Sequence, residues 1–278
     1  MNIIVTVDTE ADDQWNRKGP MAIDNVFALP RFQALCEKYN MPATYLLTYE
    51  VAADERAAAQ FRAWQEKGAE IGSHLHPWTT PPIQPEDESK ERFPSELNEV
   101  TLREKFSNLN DAVKKAMGKQ PTSYRAGRWG FDDRQAKLLE EFGYVVDLSV
   151  TPGISWADKG GPDFTGVTAR EYRLNKGAIE VPMTILPAGW FGRLRWLRVF
   201  ENTTYHHLKD VIDTAERDKF GVVVFMIHSS ELVEDKSPYV KTKAALERVY
   251  GHVESLFSEC QRRRIIGVTA SAYANLQR

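Results

Sequence analysis

The sequence predicts an α/β protein, a distorted (β/α) barrel on about seven mainly parallel strands. Three observations predict it. Short apolar runs alternate with longer stretches of helical period along the chain, the pattern of strand–helix–strand units with right-handed crossovers. Some short runs are continuously apolar, such as Val222-Val223-Val224-Phe225-Met226-Ile227, which implies burial on both faces, as in a parallel sheet. Ionisable residues collect just after these runs, at the strand ends where parallel α/β folds keep their chemistry.

The runs place strands at Ile3–Val7, Ala43–Leu47, Glu70–Ser73, Ser123–Arg125, Val145–Leu148, Ile179–Ile185, Val222–Ile227 and Ile265–Thr269. The helical periods fall at Val26–Tyr39, Ala53–Lys67, Leu102–Met117, Asp133–Phe142, Tyr205–Lys219 and Val240–Arg263. Gly68, Gly118 and Gly143 each stand where a helix should stop. Asp132 or Asp133 stands where an N-cap belongs. Two segments break the rhythm. Residues 76–97 hold five prolines and a charged run, a loop long enough to be functional or disordered. Residues 151–200 end in a stretch, Trp190–Phe200, that mixes aromatics with Arg193, Arg195 and Arg198. It reads as a lid or membrane-surface contact, or as a packed crossover. With no linker, repeat or low-complexity tract, residues 1–278 read as one domain.

Composition narrows the function. The 278 residues are 42% hydrophobic and 27% charged, as in ordinary globular proteins. Lys and Arg number 36 against 39 Asp and Glu, a net charge of −3, which excludes the basic footprint of a nucleic-acid binder. No apolar run approaches the ~18–20 residues of a membrane span. The opening Met1-Asn2-Ile3-Ile4-Val5 lacks a basic leader and reads as a strand. Cys36 and Cys260 make no disulfide framework and read as buried thiols. The expectation is a soluble, cytoplasmic protein. There is no P-loop, no dinucleotide fingerprint and no Gly-x-Ser-x-Gly elbow.

The strand ends carry Asp8-Thr9-Glu10 with Asp12 and Asp13, His74-Leu75-His76-Pro77-Trp78, Arg125 to Gly130, Asp147, and His228-Ser229-Ser230-Glu231. Residues i and i+2 of a strand share a face, so Asp8 can act with Glu10, and His74 with His76. Two imidazoles and a carboxylate are the ligand set of a catalytic metal with open positions. The second carboxylate is then free to act as a base. Blander readings compete: hydrogen-bonded histidines at 74, 76 and 228, a surface Arg125, and a turn-capping Asp147.

In this order the motifs resemble the polysaccharide deacetylase family, the NodB-homology domain of carbohydrate esterase family four. Ile4 to Glu10 resembles its first motif, Pro42-Ala43-Thr44-Tyr45-Leu46 an Ala-Thr-Phe-Phe strand, and Glu70-Ile71-Gly72-Ser73-His74 its second motif. Tyr124-Arg125-Ala126-Gly127 is similar to the third motif, and Ile227-His228 to the last. The resemblance implies a distorted (β/α) barrel and metal-dependent removal of an N-acetyl or N-formyl group from an amino sugar in a glycan or glycolipid precursor. By position it makes Asp8 the catalytic base, Glu10 and His74 metal ligands, Arg125 the holder of the base and His228 the general acid. The metal is zinc first, with nickel or cobalt as alternatives.

The departures are specific. The family spaces its histidines i and i+4, and position 78 is Trp, so His76 must supply the second nitrogen. Gly127 and Arg128 stand where a proline and an aromatic are common, leaving the backbone amide near Arg128 to meet the oxyanion. Asp147 and Asp163 compete for the fourth-motif aspartate, and Asp12 or Asp13 for the role of Glu10. Trp78, Trp129 and Trp190, with Arg128, are the candidate substrate contacts. Two other readings remain: a metal-independent amidohydrolase on a ureide-like C–N bond, and a degenerate glycan-binding barrel.

Overall fold

The computed structural model describes residues 1–15, 21–89, 92–174, 177–189, 192–200 and 203–277. In chain order the elements are β1 (Asn2–Thr9), α1 (Pro30–Lys38), β2 (Ala43–Leu47), α2 (Tyr49–Ala53), α3 (Glu55–Glu66), β3 (Glu70–Leu75), α4 (Pro85–Ser89) and α5 (Glu99–Met117). There follow β4 (Ser123–Ala126), α6 (Asp133–Phe142), β5 (Val146–Asp147), β6 (Tyr172–Arg173), β7 (Ile179–Glu180), β8 (Ile185–Ala188) and β9 (Arg193–Trp196). The last are α7 (Tyr205–Arg217), β10 (Val222–His228), α8 (Lys243–Arg262), β11 (Ile266–Gly267) and α9 (Ala270–Leu276). The strand order is β10-β1-β2-β3-β4-β5-β7-β6, with β11 on β1. The β1–β10, β1–β11, β3–β4, β4–β5 and β5–β7 pairs are parallel, and β6–β7 is antiparallel.

The described residues group into two compact units, Met1–Tyr45 with Thr184–Thr269, and Leu46–Met183 with Ala270–Arg278. In the first, the continuously apolar runs of β1 and β10 are buried throughout, as a two-faced parallel pair requires. Phe32 of α1 and Phe225 of β10 each meet the ring of Phe257 in α8 at 6.4 Å. Cys36 and Cys260 are free and buried in α1 and α8. In the second unit, Phe106 of α5 packs on Tyr124 and Tyr144, with centroids 5.1 and 5.5 Å away.

Caps follow the sequence signals. The carboxylate of Asp132 accepts the Arg134 and Gln135 N–H groups at the start of α6, and Gly143 closes that helix at φ 79°. The helix expected from Val26 begins at Pro30, after a 3-10 turn over Asp24–Ala28. Proline lacks an N–H and suits the first helical position. The strand expected over Ile179–Ile185 is two strands. β7 ends before Pro182, which cannot donate to a ladder, and β8 pairs antiparallel with β9 instead. Neither α2 nor α9 is among the expected elements. The loop expected over residues 76–97 contains α4 and is pinned by Lys105. That side chain is fully buried; its Nζ donates to the carbonyls of Pro77, Thr80 and Pro82 at 2.5–2.7 Å and pairs with Asp87 at 3.0 Å.

Candidate active site

In the first unit, β1 delivers Asp8 and Glu10, each 2% exposed. Asp8 lies opposite His228 in the parallel β1–β10 register. The Glu10 N–H donates to Ser229 Oγ at 3.2 Å, and Asn25 Nδ2 donates to the Glu10 carbonyl at 3.0 Å. Its neighbour Asp12 is a clamp. Oδ1 accepts from the Asn25 backbone and side chain at 2.9 and 2.6 Å, and Oδ2 accepts from Lys236 at 2.6 Å. Asp13 sits in a turn at φ 42°.

His228 stands in a buried polar cluster. Arg198 Nη2 lies 2.9 Å from His228 Nδ1 and donates to Glu231 Oε1 at 2.7 Å. Glu231 Oε2 accepts the His228 backbone N–H at 3.0 Å and lies 3.3 Å from His228 Nδ1. Burial pushes the Glu231 carboxyl up, but the Arg198 and His228 charges outweigh it and leave it at about 2. The ring of Trp15, itself 38% exposed, meets His228 edge-on at 5.3 Å.

In the second unit, β3 delivers His74 and His76, each 3% exposed. His74 Nδ1 lies 3.0 Å from the Arg125 carbonyl. A carbonyl only accepts, so the ring hydrogen is on Nδ1 and the Nε2 lone pair is available to a metal. The Nε2 atoms of His74 and His76 are 3.0 Å apart. The ring of Trp78 stacks on His76 at 4.3 Å, and Trp78 is only 6% exposed. Gly127 is required here, because a Cβ would come within 2.4 Å of the Leu75 carbonyl and 2.5 Å of His76 Cδ2. Arg128 and Trp129 then take φ of 52° and 64°, the left-handed region that non-glycine residues rarely adopt. The Arg128 guanidinium lies over Phe93 at 4.2 Å, and Trp129 is 8% exposed. Trp190 lies outside the described residues.

Arg125 is fully buried; its Nε donates to the Leu148 carbonyl at 2.9 Å and its guanidinium lies 5.2 Å from the Trp129 ring. Of the two aspartates expected to compete, Asp147 is buried beside the Arg125 strand, and Asp163 is an exposed turn residue capping Thr165. Asp147 Oδ1 accepts from Ser149 Oγ at 2.7 Å, and Asp147 also hydrogen-bonds Glu180, its register partner on β7. Burial and the neighbouring Asp147 push the Glu180 carboxyl well up, so the pair holds a proton between them.

One ligand atom from each of Glu10, His74 and His76 lies within 4.8 Å of the others, and all three residues are buried. Two imidazole nitrogens and a carboxylate oxygen suit zinc, nickel or cobalt. The backbone partner of His74 is the kind of support that metal-binding histidines carry. Three further residues went unassigned from sequence. Glu231 is visible three positions after His228, but Arg198 and Glu180 come from distant segments and no local spacing announces them.

A family model described as polysaccharide deacetylase matches residues 14–146. That span holds His74, His76 and Arg125 but neither Asp8 nor His228. No curated relative matches the sequence. Among solved structures, a putative polysaccharide deacetylase from Mycobacterium smegmatis aligns with TM-score 0.65 at 17% identity, covering 99% of this chain and 88% of its own. A probable polysaccharide deacetylase from Pseudomonas aeruginosa PAO1 aligns with TM-score 0.63 at 13% identity over 99% and 89%. Puue allantoinase aligns with TM-score 0.65 at 13% identity, again over 99% and 89%. The expected α/β class and mainly parallel (β/α)-barrel fold are therefore those of this chain. The motifs, the family match over residues 14–146 and the fold agree, and the chain resembles the polysaccharide deacetylase family, the NodB-homology group of carbohydrate esterase family four.

Proposed function

We propose that this chain is a single-domain, cytoplasmic, metal-dependent carbohydrate N-deacetylase that removes an N-acetyl or N-formyl group from an amino sugar in a glycan or glycolipid precursor. The observation that carries the reading is the buried Glu10, His74 and His76 group, with Asp8 two residues before Glu10 on β1. When bound, a zinc, nickel or cobalt ion supplies Lewis acidity to the amide carbonyl and acidifies water. Asp8 accepts the proton of the attacking water. Arg125 keeps Asp8 anionic, since a neighbouring cation favours the charged form. The backbone at Arg128 meets the developing oxyanion. His228 serves the leaving nitrogen. Trp129 and Trp78 back the substrate side, and the exposed Trp15 beside His228 offers a face to a sugar ring.

The test is metal content with and without the two histidines. Purified protein should carry about one divalent ion per chain, lost in both His74→Ala and His76→Ala. Acetate release from N-acetylated sugars should fall with it. Asp8→Asn should abolish turnover and keep the ion. A second reading has a specific support: the fold matches Puue allantoinase as well as it matches the deacetylases, so a ureide-like amide is the alternative substrate. A wild-type protein that takes up no metal even on reconstitution would sink the deacetylase reading in favour of the metal-independent one.

A further inference from the structure

Glu10 stands one residue past β1, and the β1–β10 register closes on the Asp8–His228 pair, two residues before it. The β10 ladder therefore does not set the direction of the Glu10 side chain. Side chains from two other segments grip its main chain instead. The Glu10 N–H donates to Ser229 Oγ at 3.2 Å, and the Glu10 carbonyl accepts from Asn25 Nδ2 at 3.0 Å. Asn25 is fully buried in the 3-10 turn, and its Nδ2 has only two hydrogens. The second goes to Asp12 Oδ1 at 2.6 Å, which also accepts the Asn25 backbone N–H at 2.9 Å. Turning the amide over would set its oxygen against the Glu10 carbonyl and the Asp12 carboxylate, so its orientation is fixed. In that orientation Asn25 Oδ1 is buried with no hydrogen-bond partner among the described residues. The fold carries that cost in stability to keep both Nδ2 contacts.

Asp12 is held in turn. Its Oδ2 accepts from Lys236 Nζ at 2.6 Å, and the same ammonium reaches Asp24 at 3.2 Å. Lys236 lies in the loop after β10, and its carbonyl accepts the Asp13 N–H at 2.8 Å. Both oxygens of Asp12 are engaged, so Asp12 does not take the place of Glu10 toward a metal. The contacts run from Lys236 through Asp12 and Asn25 to the Glu10 carbonyl, all within the first unit. We propose that Asn25, Asp12 and Lys236 are positioning residues for a metal ion: they fix the Glu10 main chain, and with it the carboxylate ligand, before the ion arrives. A ligand ordered in advance pays less to bind, so these three residues raise metal affinity without touching the metal. The inference rests on the reading of Glu10, His74 and His76 as the ligand set, but the grip on Glu10 stands apart from it.

Cobalt binding to the full chain tests this, with Kd read by chelator competition and ligand geometry by the visible absorption of the bound ion. Asn25→Ala should weaken cobalt about tenfold to a hundredfold, the usual cost of losing a partner behind a metal ligand, and should shift the absorption. Because Asn25 is fully buried and its loss threatens folding, the partly exposed Lys236 supplies a second, milder variant. Lys236→Met should move both readouts the same way by a smaller factor, and Lys236→Arg should restore them. A role in stability alone lowers the urea midpoint and leaves cobalt Kd and absorption as in wild type; that result in both variants overturns the proposal. A Lys236→Arg variant that binds cobalt no better than Lys236→Met overturns it for the cation. The reading beneath it fails differently. Cobalt taken up by wild type, lost in His74→Ala and kept undiminished in Asn25→Ala and Lys236→Met overturns this inference alone. A wild-type chain that takes up neither cobalt nor zinc overturns it together with the metal reading.

Discussion

Glu231 and Glu180 are both buried glutamates beside strand ends, one in each unit, and their carboxyls shift in opposite directions. Both lose the same hydration, which by itself raises a carboxyl pKa. Glu231 meets a guanidinium at 2.7 Å and is held at about 2. Glu180 meets another carboxyl, Asp147, and is pushed well up. Burial therefore does not decide the charge of a strand-end acid in this protein; its nearest partner does. The same rule bears on Asp8 and Glu10, which are as buried as Glu231. Their proposed base and ligand roles require cationic company, which the reading assigns to Arg125 and a metal ion.

The comparison breaks most sharply if the cation is removed. Arg198→Met leaves Glu231 charged and buried, and truncating one partner of a buried pair costs about 3–5 kcal/mol. Urea denaturation at pH 7 should show a loss of that order. The pH dependence follows from the direction of the shift. The folded value of Glu231 lies below its ordinary 4.5, so its stabilisation is full above that and fades as pH falls toward 2. In Arg198→Met that acid-side loss should shrink. A drop under about 1 kcal/mol at pH 7, the scale of an exposed pair, would mean that Arg198 does not compensate Glu231.

Glu180→Gln sharpens the other half and should act more gently. The folded value of Glu180 is raised above its ordinary 4.5. Its contribution is therefore complete below that point and declines as pH rises toward the raised value, because the native state then holds the proton longer than the unfolded chain. Glu180→Gln keeps a neutral group of the same shape and removes the titration. Wild type should lose stability relative to the variant as pH rises above the ordinary value of 4.5, read as diverging urea midpoints. Parallel midpoints across that range would show that the carboxyl pair shares no proton.

How much of this was legible depends on how far each signal reaches along the chain. The strands at Ala43–Leu47 and Ser123–Arg125 and the helix at Asp133–Phe142 were local patterns, and they stand within a residue of where they were expected. Strand alternation, which puts i and i+2 on one face, is what grouped His74 with His76 and Asp8 with Glu10 in the sequence, and all four are buried. The break at Pro182 was written in the sequence, but an apolar run hid it. Arg198 and Glu231 show the limit. Their pairing spans 33 residues and depends on the chain returning to β10, which no spacing rule encodes. The arginine-rich stretch looked like a surface device, yet Arg198 is buried on Glu231 and Arg195 pairs with Asp210. Only Arg193 and Leu194 of β9 are left exposed to meet a membrane or lid partner.

The smallest effect belongs to the same chemistry placed in water. Arg31 makes a two-point contact with Glu247, at 2.8 and 2.7 Å, as good in geometry as the Arg198 pair. Its side chains are 49% and 51% exposed, so solvent screens the attraction and neither charge was stripped of water in the first place. Arg31 also lies over the Tyr250 ring at 3.7 Å, and Arg31→Met keeps apolar packing there while removing the charge. The expected loss is about 0–1 kcal/mol in low salt, smaller still at high ionic strength. A loss matching that of Arg198→Met would mean that pair geometry, not desolvation, sets the cost of breaking an ion pair here. The contrast between Glu231 and Glu180 would then need another cause than the partner each one meets in the dry interior.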